Sequence, residues 1–215
     1  MPSFAARYLG EVARIATALD ASLIDAMAAR LADVRSRGGR LFILGAGGGA
    51  GHASHAVNDF RKICDLESYA PSDNVSELTA RVNDEGWDTA YAAWLRGSRL
   101  GAEDAILVFS VGGGSREPEV SMSIVRALEV GREVGATIVG IVGRPRGETQ
   151  RLADLCLVVA DAPPERLTPH TESFQAVVWH LLVSHPALSR RPGTWESIDA
   201  SGAGDRVEVE LGTTP

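Results

Sequence analysis

Leu41-Phe42-Ile43-Leu44-Gly45-Ala46-Gly47-Gly48-Gly49 is a short apolar run that ends in glycines, and it constrains the fold strongly. An apolar run without polar alternation is typical of a parallel strand that is buried on both faces. Helical spacing follows at about residues 50–63, so the stretch predicts a strand, a tight turn and a helix. Glycine backbone can approach a ligand closely, and the N-terminus of a helix favours an anion. The alternative is a tight turn without a ligand.

The rest of the chain repeats this alternation of strands and helices. Similar apolar runs predict strands at 105–109, 137–142 and 155–159, and a weaker one near 68–70. Helical patterns lie at about 3–18, 20–37, 87–99, 118–134, 148–153 and 170–184. The remainder of 65–84 is interpreted as a loop. Such an alternation predicts an α/β protein with a mainly parallel sheet covered by helices on both faces.

Length, charge and cysteine content limit the class of protein. A chain of 215 residues suits one domain. Its formal net charge of −7 argues against a surface that binds nucleic acid. Only two cysteines occur, and neither a signal-peptide core nor an apolar run of membrane-spanning length is seen. We therefore expect a cytoplasmic protein that binds neither nucleic acid nor a membrane.

Two pairs of polar residues have spacings that place each pair on one face of a helix. His55 and Asp59 are four residues apart, directly after the glycine turn, and Glu172 and His180 are eight apart. If the two helices meet, two imidazoles and two carboxylates converge. Such a set can hold a metal ion or transfer protons. The alternatives are a solvated helical pair for the first two residues and a structural role for His180.

A second glycine-rich turn, Ser110-Val111-Gly112-Gly113-Gly114-Ser115-Arg116, follows the strand at 105–109. Hydroxyls, backbone N–H groups and an arginine together are typical of an anion site. Ligands of parallel α/β sheets bind at the carboxyl ends of the strands, where both glycine turns are expected. Two such turns in one sheet therefore indicate a ligand more strongly than either turn alone.

The order of these motifs resembles that of the sugar isomerase (SIS) domain family, and within it the phosphoheptose isomerases, over about residues 20–185. Members typically have Gly-Asn-Gly-Gly-Ser where this chain has residues 45–49. A histidine and a glutamate four apart follow, matched by His55 and Asp59. A glutamine and a histidine eight apart come last, matched by Glu172 and His180. Asp59 is therefore shorter than the usual glutamate, and Glu172 is a carboxylate in place of an amide.

Two further motifs match between these helices. The family's Asn-Asp pair before a glycine and an aromatic residue corresponds to Asn83-Asp84, for which a plain turn is the alternative. The family's phosphate loop, Ser-Thr-Ser-Gly-Asn-Ser, corresponds to residues 110–115. Two hydroxyls of that loop are absent here, and Arg116 is available to supply charge in their place.

The resemblance implies a three-layer α/β/α sandwich of the SIS, flavodoxin-like type, with a central five-stranded sheet and added N-terminal helices. It implies one SIS domain over 1–190, followed by a polar tail over 191–215. The implied substrate-binding residues are Ala46, Gly47, Gly48, Asn83, Asp84, Ser110, Val111, Gly112, Ser115, Arg116 and Glu172. Asp59 and His180 would be catalytic, as base and partner acid/base. A divalent metal, often zinc, would be held by His55, Asp59, Glu172 and His180.

The implied activity is the isomerisation of sedoheptulose 7-phosphate to D-glycero-D-manno-heptose 7-phosphate through an enediol. Such isomerases are commonly homotetramers with sites at subunit interfaces, and their substrate is a small sugar phosphate. The alternative is a non-catalytic SIS protein that binds a sugar phosphate or regulates a partner. A dinucleotide-dependent enzyme fits poorly, because Asp65-Leu66-Glu67 is only a loose match for a ribose-binding acid. His52 and His170 are additional candidates, and His170 lies where the family often has an arginine.

Overall fold

A computed structural model describes residues 2–191, and the elements below belong to that part of the chain. The central sheet contains β1 (Leu41–Gly45), β2 (Ser68–Tyr69), β3 (Ala105–Ser110), β6 (Thr137–Val142) and β7 (Leu155–Val158). All neighbouring strands are parallel, in the order β2-β1-β3-β6-β7. This is the flavodoxin-like order 2-1-3-4-5 when the sheet strands alone are numbered. The predicted five-stranded parallel sheet is confirmed.

Helices cover both faces of the sheet. They are α1 (Phe4–Ala18), α2 (Ala21–Ser36), α3 (Gly48–Cys64), α4 (Val75–Glu85), α5 (Trp87–Gly97), α6 (Met122–Val134), α7 (Glu148–Leu152) and α8 (Leu167–Ser184). Alternate strand residues point to opposite faces. Ile43 and Leu107 join a core with α2, α3 and α8, whereas Leu44 and Ile106 join a second core with α5 and α6. The three-layer sandwich is therefore confirmed.

The prediction of a loop is wrong over α4. Asn74 caps this helix, because its side chain accepts a hydrogen bond from the Glu77 N–H at 3.2 Å. Val75, Leu78 and Val82 have helical spacing, yet no residue of α4 is buried. With so few apolar residues, this helix gives a weak periodic signal in the sequence. The capping residue Asn74 was the better indicator of its beginning.

Two helix starts also differ from the predicted ones. A short antiparallel hairpin, β4 (Ser115–Arg116) with β5 (Glu119–Val120), occupies the residues before α6. That helix therefore begins at Met122 rather than near 118. The last helix begins at Leu167, three residues before the predicted start, directly after a 3₁₀ turn at Pro164–Arg166.

None of the helices described here is long and apolar enough to cross a membrane. Beyond Arg191, the predicted polar tail lies outside the described residues.

A buried ion-pair cluster connects α1 to the beginning of α8. Glu11 accepts hydrogen bonds from Nε and Nη2 of Arg166 at 2.8 and 2.7 Å. Its carboxylate also lies 2.8 Å from Nε2 of His170, whose ring is fully buried and stacks on Tyr8. The hydrogen bonds from Arg166 and His170 lower the pKa of Glu11 from 4.5 to about 2. Glu11 therefore anchors α1 as an anion.

We predict that Glu11→Gln destabilises the protein at neutral pH. A carboxyl group whose pKa is lowered by folding stabilises the fold above its unfolded pKa near 4.5 and loses that effect as pH falls through about 2. The difference between variant and native protein should therefore shrink on acidification. Urea unfolding over a pH series measures it, with Glu165→Gln, an exposed partner of the same arginine, as control.

Equal stability of Glu11→Gln and the native protein at pH 7 would contradict this assignment. A difference that does not change with pH would also contradict it.

Candidate active site

Helices α3 and α8 lie side by side and run in the same direction. At the beginning of α3, a Cβ added to Gly48 would lie 2.6 Å from the carboxylate of Glu172 on α8. At the end of α3, the Cys64 thiol lies 3.7 Å from the backbone oxygen of Val183. Residues near the beginning of α3 therefore contact residues near the beginning of α8, and residues near the two ends contact each other, as in parallel helices. The two predicted pairs of polar residues lie on helices that pack against each other.

The first glycine turn is built so that α3 can begin over the end of β3. A Cβ on Gly45 would lie 2.3 Å from the backbone oxygen of Gly49, and one on Gly49 would lie 2.6 Å from that of Phe109. Side chains at these two positions would collide with backbone. The phenol of Tyr91 donates to the Gly45 carbonyl at 2.6 Å. Because burial raises the pKa of Tyr91 to about 12, this donor stays protonated.

The substrate-binding residues predicted in this turn remain accessible. Ala46 is half-buried, while Gly47 and Gly48 are exposed at the N-terminus of α3. Within residues 2–191, the N–H groups of Gly47 and Gly48 donate to no acceptor. They therefore offer two donors, at the positive end of a helix, to an anionic ligand.

His55, Asp59 and His180 converge further along the two helices. One ligand atom from each lies within 4.8 Å of the other two. Oδ2 of Asp59 lies 3.5 Å from Nε2 of His55 and 3.5 Å from Nε2 of His180. The histidine side chains are 57% and 52% exposed, whereas that of Asp59 is only 11% exposed. The cluster is thus a half-buried carboxylate with two imidazoles on its open side.

Neighbouring side chains hold the Asp59 carboxylate. The indole Nε1 of Trp179 donates to Oδ2 at 3.1 Å, and the amide of Asn58 donates to Oδ1 at 3.1 Å. A buried carboxylate without such donors would pay a large desolvation cost. Trp179 was not singled out from the sequence. Its position directly before His180 was the available signal.

The donor set fits a divalent metal ion. Nδ1 of His180 lies 2.8 Å from the Ala176 carbonyl, which is an acceptor only, so Nδ1 carries the proton in the neutral ring. Nε2 is then a lone-pair donor that faces the carboxylate. Two acceptors facing each other at 3.5 Å leave a position for a cation between them. Two imidazoles and one carboxylate are typical ligands of zinc, and the open side leaves room for a further ligand.

Glu172 lies at the other end of the α3–α8 contact. Within the described residues it is not in the metal-compatible group, and its half-buried carboxylate lies against Gly48. Eight residues of α-helix rise about 12 Å, so Glu172 and His180 share a face but not a position along it. The structure brings Glu172 to the glycine turn and its exposed N–H groups.

The second glycine turn also lies at the carboxyl end of the sheet. The Ser110 hydroxyl accepts a hydrogen bond from the Gly113 N–H at 3.0 Å, which closes the turn. The Val111 carbonyl accepts from the N–H groups of Gly143 and Arg144, after the neighbouring strand β6. In the part of the chain that the structure describes, the N–H groups of Gly112 and Gly114 donate to no acceptor. The turn thus retains backbone donors where hydroxyls are missing.

Arg116 is engaged by carboxylates. Its Nε lies 3.0 Å from Glu148, and its Nη2 pairs with Glu129, so its charge is already partly neutralised. Hydrogen bonds from Arg151 and Arg116 lower the pKa of Glu148. Ser115 is half-buried in the hairpin strand β4. Of the predicted anion ligands in this turn, the backbone groups are the more available.

Asn83 and Asp84 lie in the last turn of α4 rather than in a plain turn. Both are exposed, and the Asn83 amide donates to the Asp84 carboxylate at 2.7 Å. Gly86 ends α4 with a φ of 85°, and Trp87 begins α5 beside Tyr91, the residue bonded to the first glycine turn. In residues 2–191, no hydrogen bond or ion pair joins this pair to the His55–Asp59–His180 group.

The two additional histidines have different surroundings. Nδ1 of half-buried His52 lies 3.2 Å from Oε1 of Gln175, and its ring packs against Trp179. His52 therefore lies between the glycine turn and the histidine–aspartate cluster. His170 faces Glu11 and is fully buried, so the structure gives it a partner within the fold.

Comparisons with known proteins place this chain in a family. Over 167 residues the chain is 32% identical to a phosphoheptose isomerase from Solidesulfovibrio magneticus, with 75% of this chain and 76% of that protein covered. It is 30% identical to a phosphoheptose isomerase from Trichlorobacter lovleyi, covering 85% of this chain and 91% of that one. The chain belongs to the phosphoheptose isomerase family. No protein-family profile matches it.

Other comparisons agree with the fold. The chain is 31% identical to the lincomycin biosynthesis protein LmbN of Streptomyces lincolnensis, over 82% of this chain and 66% of that longer protein. The structure of a phosphoheptose isomerase from Neisseria gonorrhoeae superposes with a TM-score of 0.73 at 20% identity. It covers 84% of this chain and 96% of that one, which confirms the SIS-type α/β fold.

We predict that the protein binds a divalent cation through His55, Asp59 and His180. His55→Ala and His180→Ala should each weaken Zn²⁺ binding by more than the roughly 10–100-fold typical of a lost outer partner, because each removes a ligand atom. Competition with a chromophoric chelator measures the affinity. Glu172→Gln should leave it close to that of the native protein.

His185→Gln is the matched control, since His185 lies at the end of α8 outside the cluster. Zn²⁺ affinity that is unchanged in both alanine variants would show that the cluster is not the metal site.

Proposed function

We propose that the protein is an aldose–ketose isomerase that converts sedoheptulose 7-phosphate to D-glycero-D-manno-heptose 7-phosphate through an enediol. One observation carries the proposal: a carboxylate and two imidazoles converge from α3 and α8 in a member of the phosphoheptose isomerase family. The reaction needs a base for a carbon-bound proton and an acid for a carbonyl oxygen. Asp59 and His180 supply these two groups in the proposal.

The proposal divides the proton transfers between these two side chains. Asp59 takes a proton from C1 of the ketose. His180, when its Nε2 is not occupied by a metal ion, gives a proton to the oxygen at C2, and the C1=C2 enediol forms. Asp59 then returns a proton to C2, and His180 removes the proton from the oxygen at C1. No net proton is gained or lost. The 3.5 Å between Nε2 of His180 and Oδ2 of Asp59 supports this pairing.

The two oxygens of Asp59 allow it to serve a metal and the substrate. Oδ2 faces both imidazoles, whereas Oδ1 lies on the side of the exposed Asn58 amide. We assign zinc, or another divalent metal, to His55, Asp59 and His180. When bound, the ion would occupy Nε2 of His180 and would polarise the substrate oxygens as a Lewis acid in place of proton donation by that ring. Proton transfer remains the task of the carboxylate oxygen on the Asn58 side.

Substrate binding is assigned to the two glycine turns. The N–H groups of Gly47, Gly48 and Gly112, which donate to no acceptor within the described residues, would hold the phosphate and nearby oxygens. Ser110, Val111 and Ser115 would line the second turn around them. Ala46 would line the first turn, and Glu172, beside Gly48, would accept hydrogen bonds from sugar hydroxyls. The exposed Asn83 and Asp84 would do the same, and Arg116 would contribute positive charge beyond its carboxylate partners. In this assignment Glu172 binds the substrate and not the metal ion.

A second subunit would complete the site. His55 and His180 are more than half exposed, although an enediol needs protection from water. On α8, Val177 and Leu181 flank His180 and are 49% and 40% exposed. Burial of these apolar side chains against another copy would close the open side of the cluster. A homotetramer with sites at subunit interfaces is therefore the proposed assembly. We also propose a cytoplasmic location, which suits the two free thiols of the chain.

We predict that the purified protein, supplied with Zn²⁺, converts sedoheptulose 7-phosphate to an aldose in deuterated water. Deuterium should appear at C2 of the product, because the enediol is protonated there by a group that exchanges with solvent. Nuclear magnetic resonance measures both product and label. His180→Ala should lower the rate by about 10²–10⁴-fold, the usual loss on removing an acid–base group.

The matched control is again His185→Gln, which should retain the rate. A folded, zinc-supplied protein that gives neither product nor exchange would overturn the isomerase proposal. Binding of the sugar phosphate without turnover would favour the non-catalytic alternative.

A further inference from the structure

The indole of Trp179 contacts the candidate site at its least exposed atom. Trp179 is 2% exposed, and its Nε1 donates to Oδ2 of Asp59 at 3.1 Å. The same oxygen faces Nε2 of His55 and Nε2 of His180, each at 3.5 Å. A single oxygen is therefore shared by the indole and by the two imidazoles.

The surroundings of the indole fix its orientation. Its ring centroid lies 5.0 Å from that of His52, 5.3 Å from that of His55 and 4.7 Å from that of His180. Phe109, at the end of β3, lies 5.7 Å away. Three imidazoles and a core phenyl ring thus surround the indole, and a rotation of the indole would collide with them.

An indole N–H is well suited to this position. It can only donate, and it does not titrate in the accessible pH range, so it always presents a hydrogen bond to the carboxylate. Hydrogen bonds to a charged acceptor are about twice as strong as neutral ones. Asp59 has a short side chain, and the indole fixes which of its oxygens faces the two imidazoles.

We propose that Trp179 is a positioning residue of the site, whose N–H orients the Asp59 carboxylate toward His55 and His180. The proposal rests on the metal and proton-transfer roles assigned to the cluster above. Outer partners that orient a ligand typically contribute 10–100-fold to metal affinity or activity. The indole would therefore set the geometry of the site without contacting the substrate.

The test compares Trp179→Phe with Trp94→Phe. Phenylalanine keeps an aromatic ring at 179 but removes the N–H donor. Trp94 is the control because it is also a buried tryptophan, 7% exposed. It lies in the core on the opposite face of the sheet, where it packs against Phe42. Zn²⁺ affinity is measured by chelator competition, and the absorption spectrum of the Co²⁺-loaded protein reports the ligand geometry.

Trp179→Phe should weaken Zn²⁺ binding about 10–100-fold and change the Co²⁺ spectrum. Trp94→Phe should do neither. A spectrum and affinity of Trp179→Phe that match those of Trp94→Phe would overturn the positioning role. A purely structural role would lower stability in both variants without a change in the Co²⁺ spectrum.

A second measurement separates this proposal from the metal assignment. If the native protein binds neither metal, the assigned metal role is wrong, and a double-mutant cycle decides the positioning role. The cycle combines Trp179→Phe with Asp59→Ala and follows urea unfolding without metal. Effects that fail to add would support the Trp179–Asp59 interaction, and additive effects would overturn it.

Discussion

The side-by-side packing of α3 and α8 is the constraint on which the rest of the site depends. It requires α3 to begin directly over the end of β3, and only glycine at positions 45 and 49 permits that approach. The shared direction of the two helices then fixes which residues meet. Glu172 reaches the glycine turn, and His180 reaches Asp59. In the proposed function, this helix contact separates the end assigned to an anionic ligand from the end assigned to the metal ion and to proton transfer.

The electrostatic design of the cluster follows from unequal burial. Asp59 lies at the base with two neutral donors on its oxygens, whereas the imidazoles stand on the solvent side. The indole and amide donors replace hydration that the carboxylate loses on burial. The open side, flanked by Val177 and Leu181, is where substrate and a neighbouring subunit would meet in the proposed assembly.

Much of this arrangement can be predicted from the sequence. The rest cannot be predicted, and the reasons are physical. The apolar runs predict the four long strands, and the spacings of His55–Asp59 and Glu172–His180 predict shared faces. The eight-residue spacing separates Glu172 from His180 by about 12 Å along the helix, but spacing does not give the register between helices, so it could not tell which of the two meets Asp59. The helix α4 was missed because its apolar stripe is barely packed. Trp179 was not singled out, because an indole in an apolar helical stretch gives no sign of the residue to which its one N–H donates.

The central claim is that α3 and α8 together form one cation site. A crystal structure of the protein grown with Zn²⁺, with anomalous data collected on both sides of the zinc edge, tests it most directly. The account predicts a zinc peak bonded to Nε2 of His55, Oδ2 of Asp59 and Nε2 of His180. An anomalous map with no peak among these three atoms, or with zinc bound elsewhere in their place, would contradict it.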